Sequence, residues 1–149
     1  MKLSKNAHRK IEQFFAEHLS DDSFGLPEIV FYGGTFTKIF TRLFRIEGIT
    51  FGKRIFIFPE NFWRSETDNL RINSSLAVHE IVHVLQYRRE GFFGFLFIYL
   101  RDYWRNLRGF KRFDAFSRSM AYYDIPFERE ARETERKYRE WKVCNSAFR

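Results

Sequence analysis

The chain has 149 residues, of which 44% are hydrophobic, 30% are charged and 20% are aromatic. This composition excludes a disordered chain and predicts a single folded domain over residues 1–149. The lone cysteine, Cys144, excludes an intramolecular disulfide, and the net charge of +7 is compatible with an anionic partner.

The first third of the chain predicts a helix, a strand and a second helix. Apolar residues recur at helical spacing over 4–19, with charged residues between them, which indicates an amphipathic helix. β-Branched and aromatic residues indicate a strand over 29–32, and helical spacing returns over 35–45. His8 and His18 lie in the first helix, where we expect solvated surface residues rather than metal ligands.

The middle of the chain predicts a β-hairpin followed by a loop. One strand is predicted over 47–51, a tight turn at Gly52-Lys53, and a second strand over 54–58. The second strand is apolar on both faces, so we expect both faces to be covered. The mostly polar residues 60–73 predict a loop.

A helix is predicted over 75–89, with Ser74 or Ser75 as its N-cap. Apolar residues cover most of its circumference, so we expect it to be largely buried. Gly91 ends this helix, and another helix is predicted over 92–107. The stretch that follows, up to residue 120, has no clear period.

Within the predicted helix over 75–89, His79, Glu80 and His83 form the pattern HExxH. Positions i and i+4 of a helix lie on one face, so both imidazoles can hold the same zinc ion. Glu80 would then point toward the open coordination position and could take a proton from metal-bound water. Burying two histidines costs less when both rings are neutral and bound to a metal. The pattern therefore favours a metal site over a surface helix that carries two histidines.

A hydrolytic zinc site usually has three protein ligands and one open position. No histidine follows His83, so a carboxylate of the last predicted helix, over 126–142, is the best remaining candidate. Glu128 shares a helix face with the small Ala131 and is expected to reach the metal. Glu130 points elsewhere, by about 200° of helical rotation. The alternative is that both are ordinary acids of the first turn, which interact favourably with the helix dipole.

The hairpin over 48–58, the polar loop and the helix over 76–87 together resemble the zincin-like core domain found with extracellular contractile injection systems. That family has a glycine-containing β-hairpin, a loop and then a helix that reads roughly HE-(L/I)-x-H-V-x-Q. The residues that match this motif are His79, Glu80, His83, Val84 and Gln86. The resemblance covers about residues 46–90.

Downstream, Glu128 and Ala131 resemble the ExxA element of gluzincins, whose glutamate is the third metal ligand. This chain has Arg132 where many gluzincins have aspartate or asparagine. The resemblance implies an α+β, zincin-like fold in which a small sheet packs on the HExxH helix, with further helices. It also implies a zinc metallopeptidase that hydrolyses peptide or protein substrates.

In such an enzyme, His79, His83 and Glu128 would hold Zn²⁺, and Glu80 would move the proton. Tyr87, Tyr122 and Tyr123 are candidates to stabilise the transition state, the alternative being aromatic core or surface residues. Gln86 could hydrogen-bond a metal ligand, or it could be a helix-surface glutamine. In zincins the substrate lies along an edge strand, and one strand of the hairpin is the candidate.

Two other interpretations stay open. One is a catalytically silent binding module on a zincin scaffold. The other is an anionic membrane surface as partner, because residues 88–118 carry a net charge of +5 and the helix over 92–107 suits a lipid interface. The alternative for that helix is to pack on the HExxH helix as core.

No specific nucleic-acid partner is expected, because no signature of a nucleic-acid-binding motif is visible. The apolar run over 92–100 is too short to span a membrane. The N-terminus has no signal-peptide pattern, which predicts a cytoplasmic location. Export without a signal peptide stays open, because proteins associated with injection systems can leave a cell in this way.

Overall fold

The computed structural model describes residues 3–32, 48–57, 62–64, 70–110 and 112–147. Within these ranges helices and a small sheet share a core, so the predicted α+β class is confirmed. The helices are α1 (Lys5–Leu19), α2 (Ser74–Glu90), α3 (Phe92–Gly109), α4 (Ala115–Tyr123) and α5 (Pro126–Ala147). The strands are β1 (Val30–Tyr32), β2 (Gly48–Phe51), β3 (Arg54–Ile57), β4 (Phe62–Arg64) and β5 (Leu70–Ile72).

Helix α1 forms where the amphipathic pattern predicts it. Ser4 caps its N-terminus by accepting a hydrogen bond from the backbone N–H of Ala7. Its buried face contributes Ile11, Phe14 and Phe15 to the core. The helix predicted over 35–45 lies outside the described residues.

The predicted hairpin is confirmed as β2 and β3, joined by a turn in which Gly52 has a φ of 58°. Glycine suits this position because it reaches the left-handed region without steric cost. Strand β3 is central in a three-stranded sheet of order β1-β3-β2, parallel to β1 and antiparallel to β2. Among the described residues, β2 is therefore an edge strand.

The two faces of this sheet differ in burial. Ile55 and Ile57 of β3 are fully buried against the core. On the opposite face, Phe56 stacks on Tyr32 and meets Phe51, but Tyr32 is 41% exposed and Phe51 is 40% exposed. The expectation that both faces are covered was thus wrong for this outer face, where three aromatic side chains cover one another instead.

The predicted loop over 60–73 was also partly wrong, because it contains the antiparallel ribbon β4-β5. Each strand has only three residues, paired from Phe62 opposite Ile72 to Arg64 opposite Leu70. A three-residue strand is too short for the alternation of apolar and polar residues to identify it.

Helix α2 begins one residue earlier than predicted, and its N-cap is Asn73 rather than Ser74 or Ser75. The side-chain oxygen of Asn73 accepts a 2.9 Å hydrogen bond from the backbone N–H of Ser75. At the other end, Gly91 has a φ of 73° and separates α2 from α3. The expected burial of α2 is confirmed, since eleven of its residues are buried.

Helix α2 packs chiefly against α5 and also contacts β2 and α3. Ala77 of α2 and Ala131 of α5 are both fully buried in the same core cluster, and such small side chains allow two helices to approach closely. Phe127 and Tyr138 anchor α5 as well. The contacts run from Gln86 beside Phe127 to Ser74 beside Lys142, so α5 lies antiparallel to α2 and passes the two histidines.

Helix α3 continues to Gly109, and α4 forms in the stretch where the sequence shows no clear period. Phe95 and Ile125 join Tyr87 and Phe127 in a second core cluster beside α2. Within the described part of the chain, no helix combines the length and the hydropathy that crossing a bilayer requires.

Candidate metal centre

The structure brings together three of the residues that the sequence singled out. One ligand atom from each of His79, His83 and Glu128 lies within 4.8 Å of the others, so this group could hold a metal ion. The Nε2 atom of His79 is 3.4 Å from Glu128 Oε2, and the Nε2 atom of His83 is 3.4 Å from Glu128 Oε1. Both imidazoles therefore aim the same ring nitrogen at one carboxylate.

This convergence follows from two local rules and one packing contact. His79 and His83 are one helical turn apart on α2, which places their rings 5.1 Å apart on one face. Glu128 lies in the first turn of α5, on the side of the buried Ala131. The close approach of α5 to α2 then carries the Glu128 carboxylate to the imidazole pair.

Glu130 is excluded from the group by the geometry of the helix. Its carboxylate accepts hydrogen bonds from Gln86 and from the Arg89 guanidinium, and its side chain is 43% exposed. These contacts lower the pKa of Glu130 despite its partial burial. Of the two acids considered from the sequence, only Glu128 faces the histidines.

The burial of Glu128 tests whether the group fits a cation. Its side chain is 3% exposed, and the buried Oε2 has no hydrogen-bond donor in the described structure closer than His79 Nε2, which lies 3.4 Å away. Burial raises the pKa of Glu128, but the two imidazoles outweigh that effect and hold the pKa well below its usual range. A buried, charged carboxylate is costly unless positive charge neutralises it, either from protons on the imidazoles or from a cation, so the donor set fits a metal ion.

The electrostatics of the two imidazoles follow from the same carboxylate. Burial lowers the pKa of His79, but contacts with Glu128 and Glu135 outweigh it and raise the pKa to about 10. The pKa of His83 is also raised, because Glu128 and the nearby Glu80 outweigh its burial. Without a metal, protons on the imidazoles take the place of the cation.

The outward-facing nitrogens of both imidazoles have hydrogen-bonding partners. His83 Nδ1 lies 2.8 Å from Gln86 Oε1, while the amide nitrogen of Gln86 donates to the Phe127 carbonyl at 3.0 Å. Gln86 is 1% exposed, so the alternative of a surface glutamine is wrong. On the other ligand, His79 Nδ1 lies 3.3 Å from Glu135 Oε2. Such partners fix the ring orientation and leave Nε2 free to face a metal.

Glu80 lies beside the ligand group without belonging to it. It is 3% exposed, and its Oε2 accepts a 2.7 Å hydrogen bond from the hydroxyl of Thr50 on β2. Burial raises the pKa of Glu80, although the two imidazoles oppose the shift. A raised pKa brings a carboxylate closer to the range in which it can both accept and return a proton.

The three candidate tyrosines lie in different surroundings. Tyr122 is mostly buried, and its pKa is raised by burial and by the nearby Glu128 carboxylate, so it lies beside the metal group. Tyr87 is a core residue between the rings of Phe92 and Phe95, and burial raises its pKa to about 12. For Tyr87, the aromatic-core alternative describes the structure.

Tyr123 is 54% exposed, and its ring lies 3.6 Å from the guanidinium carbon of Arg132. For Tyr123, the surface alternative describes the structure. This residue lies next to Tyr122, but successive residues of a helix point about 100° apart, so only one of the pair faces the carboxylate.

Three residues of the site were missed from the sequence. Tyr99 of α3 donates a 2.7 Å hydrogen bond to Glu128 Oε1, although the sequence placed it in a candidate lipid-binding helix. Thr50 and Glu135 contact Glu80 and His79 as described above. The sequence could have identified Glu135, because it follows Glu128 by seven residues and so lies on the same face of the helix. No sequence signal distinguishes Tyr99 or Thr50, because both reach the site through packing.

Glu135 also bears on the departure from the gluzincin pattern at Arg132. The Arg132 side chain donates to the Tyr123 carbonyl, and its Nη1 lies 4.0 Å from Glu128 Oε2. The acidic contact to His79 is instead made one helical turn further along, by Glu135. Comparisons with protein-family models, curated proteins and solved structures give no match for this chain.

Proposed function

We propose that this protein is a zinc-dependent peptide hydrolase with a zincin-like fold. The observation that carries the proposal is the buried group of His79, His83 and Glu128 with the buried Glu80 next to it. Two imidazoles and one carboxylate supply nitrogen and oxygen ligands that suit Zn²⁺. Three protein ligands leave a fourth coordination position open for water or substrate. The resemblance of the hairpin and the HExxH helix to the injection-system core domain adds to this support.

When bound, zinc would supply a Lewis acid that lowers the pKa of water and polarises a peptide carbonyl. Glu80 accepts the proton of the attacking water and delivers it to the leaving amine. The Thr50 hydroxyl holds Oε2 of Glu80, so Oε1 is the oxygen that we assign to this transfer. Tyr122 and Tyr99 both lie next to Glu128, so their hydroxyl groups are the candidates to stabilise the transition state.

Strand β2 is the surface on which the substrate would lie. It is an edge of the described sheet, and Thr50 connects it directly to Glu80. An extended peptide that pairs with β2 would gain main-chain hydrogen bonds and would pass beside the general base. The proposed substrate is therefore an extended segment of a peptide or protein.

The test combines metal analysis with proteolysis. The purified full chain is saturated with zinc, desalted and analysed for metal, and its cleavage of a peptide library is followed by mass spectrometry. We expect about one zinc per chain, and we expect Glu80→Gln to keep the metal while its cleavage rate falls at least about a hundredfold. Glu128→Gln should lose both the metal and the cleavage activity. Glu133 is an exposed acid of the same helix, so Glu133→Gln should keep both.

Two results would overturn the proposal in different ways. Less than about half a zinc per chain in the wild type would remove the metal site itself. Full zinc occupancy without cleavage of any peptide would favour the second candidate, a catalytically silent binding module on the same scaffold.

A further inference from the structure

Helix α3 carries an exposed apolar stripe that contributes to neither core cluster. Its members follow one another at intervals of four, three and four residues, which keeps them on one face of the helix. They are Phe93 (83% exposed), Phe97 (68%), Leu100 (55%) and Trp104 (49%). The opposite face supplies the buried Phe95 and Asp102, so α3 is anchored to the protein and presents the stripe outward.

An exposed stripe of this size is unfavourable in water. Side chains as large as phenylalanine, leucine and tryptophan lose hydrophobic free energy for every part of their surface that stays hydrated. Contiguous exposed apolar surface on a folded protein usually marks a contact with a partner or a membrane. Two more phenylalanines that are at least 65% exposed, Phe113 and Phe116, follow at the start of α4.

The charges next to the stripe identify the kind of partner. Arg101, Arg105 and Arg108 lie on one side of it, within about 110° of helical rotation from its centre. The acid between them, Asp102, is buried and paired with Arg101 and Arg105, so it presents no negative charge outward. Exposed Arg112 and Arg118 extend the positive surface toward and along α4.

This arrangement matches an anionic lipid surface better than a second copy of the chain. A helix that lies in a bilayer interface buries aromatic and aliphatic side chains while flanking arginines reach the headgroups. A second copy would present the same positive charges to this face, and the one acid of its α3, Asp102, is already buried and paired. Helix α3, with 18 residues, is about 27 Å long, enough for shallow contact along its whole length.

We propose that the outer face of α3 docks the protein on a membrane that contains anionic lipids, with the stripe in the interface and the arginines on the headgroups. This assignment is independent of the metal centre, because none of the stripe residues contacts the ligand group.

The experiment is flotation of the full chain with vesicles of phosphatidylcholine alone or with about a third phosphatidylserine. We expect binding to the anionic vesicles, little binding to the neutral ones, and release at about 0.5 M salt. Phe93→Ser with Phe97→Ser should lower the partition coefficient at least about tenfold. The matched control is Leu19→Ser with Val143→Ser, which removes exposed apolar side chains from two other helices.

A second pair of variants tests the charges without altering the stripe. Arg108→Gln with Arg112→Gln should weaken binding about tenfold, whereas Arg9→Gln with Lys10→Gln removes the same charge from exposed positions on α1 and should weaken it far less. Thermal melts and zinc content of each variant establish that the fold and the metal site are intact.

Three outcomes would overturn the proposal. They are equal binding to both vesicle types, no binding to either, and loss of binding in the control variants to the same degree. Sedimentation velocity of the same proteins adds one more. A dimer that dissociates on Phe93→Ser with Phe97→Ser, in a protein that does not float, would assign the face to a second copy.

Discussion

Glu128 occupies a position that few ionised carboxylates tolerate. It is almost fully buried and faces two imidazoles. One oxygen accepts a hydrogen bond from the Tyr99 hydroxyl, while the other has no donor in the described structure closer than His79 Nε2 at 3.4 Å. Its negative charge persists there only because positive charge is supplied nearby. That charge can come from protons on the histidines or from a cation, and the two compete for the same nitrogens.

This competition predicts the pH dependence of metal affinity. The pKa of His79 is raised to about 10, so in the metal-free protein its ring is protonated at neutral pH. Metal binding needs the neutral ring and must displace that proton, so affinity should rise with pH up to about 10 and fall as pH is lowered. Between about pH 8 and pH 6 we expect at least a tenfold loss of affinity per pH unit.

Competition titrations against a chelating dye across this range measure the slope. Calorimetry in two buffers of different ionisation enthalpy should also show that at least one proton is released per bound zinc. A zinc affinity that does not change with pH would contradict the inference that His79 is protonated in the metal-free protein and loses this proton when the metal binds.

The contact between Glu135 and His79 should contribute to zinc affinity. Its carboxylate contacts His79 Nδ1 and thereby fixes which nitrogen faces the metal. Glu135→Gln keeps the size of the side chain and removes the charge, so zinc affinity should fall about tenfold to a hundredfold while the fold is retained. Glu133→Gln, two residues earlier and exposed, is the control, and an equal effect in both variants would assign the loss to the helix rather than to the contact.

At the scale of the elements, α2 is the part of the molecule that the sequence describes best. The helical repeat is fixed by backbone geometry, so the spacing of His79 and His83 alone placed both imidazoles on one face. The choice of Glu128 over Glu130 followed from the same repeat on α5. The hairpin was visible because β2 and β3 are four residues each and Gly52 marks their turn.

The sequence does not predict contacts that depend on how elements pack. Tyr99 reaches Glu128 only because Gly91 redirects the chain and α3 returns along the metal group. Thr50 reaches Glu80 because β2 lies against α2. Local periodicity carries no information about which neighbour an element will meet, so both residues looked like ordinary helix and strand positions.

The N-cap of α2 allows a test at the scale of the element. Asn73 satisfies one of the free N–H groups at the start of the helix, so Asn73→Ala should lower the free energy of unfolding by about 1 kcal/mol. Ser74→Ala, the next residue along, should change it by less than about 0.5 kcal/mol, because the Ser74 hydroxyl meets an exposed lysine. Urea denaturation of both variants measures the difference. Equal losses would contradict the assignment of Asn73 as the cap, and a larger loss in Ser74→Ala would place the cap at the serine.

For the whole molecule, the metal group links parts of the chain that are far apart in sequence. His79 and His83 lie on α2, Glu128 lies on α5, and the surrounding contacts come from β2 and α3. The unfolded chain does not bring Glu128 to the two histidines, so a bound metal stabilises mainly the folded state. Because α5 supplies Glu128, this helix is required for the metal group.

Zinc should therefore stabilise the entire fold. A ligand present at about a hundred times its Kd adds about 2.7 kcal/mol, which corresponds to a Tm increase of roughly 5–10 °C for a chain of this size. Calorimetric melts with excess zinc and with excess chelator measure the difference. In Glu128→Gln the difference should fall to near zero, because the remaining two imidazoles hold the ion weakly. In Glu133→Gln it should be preserved, and a difference that survives Glu128→Gln in full would place the bound zinc elsewhere on the chain.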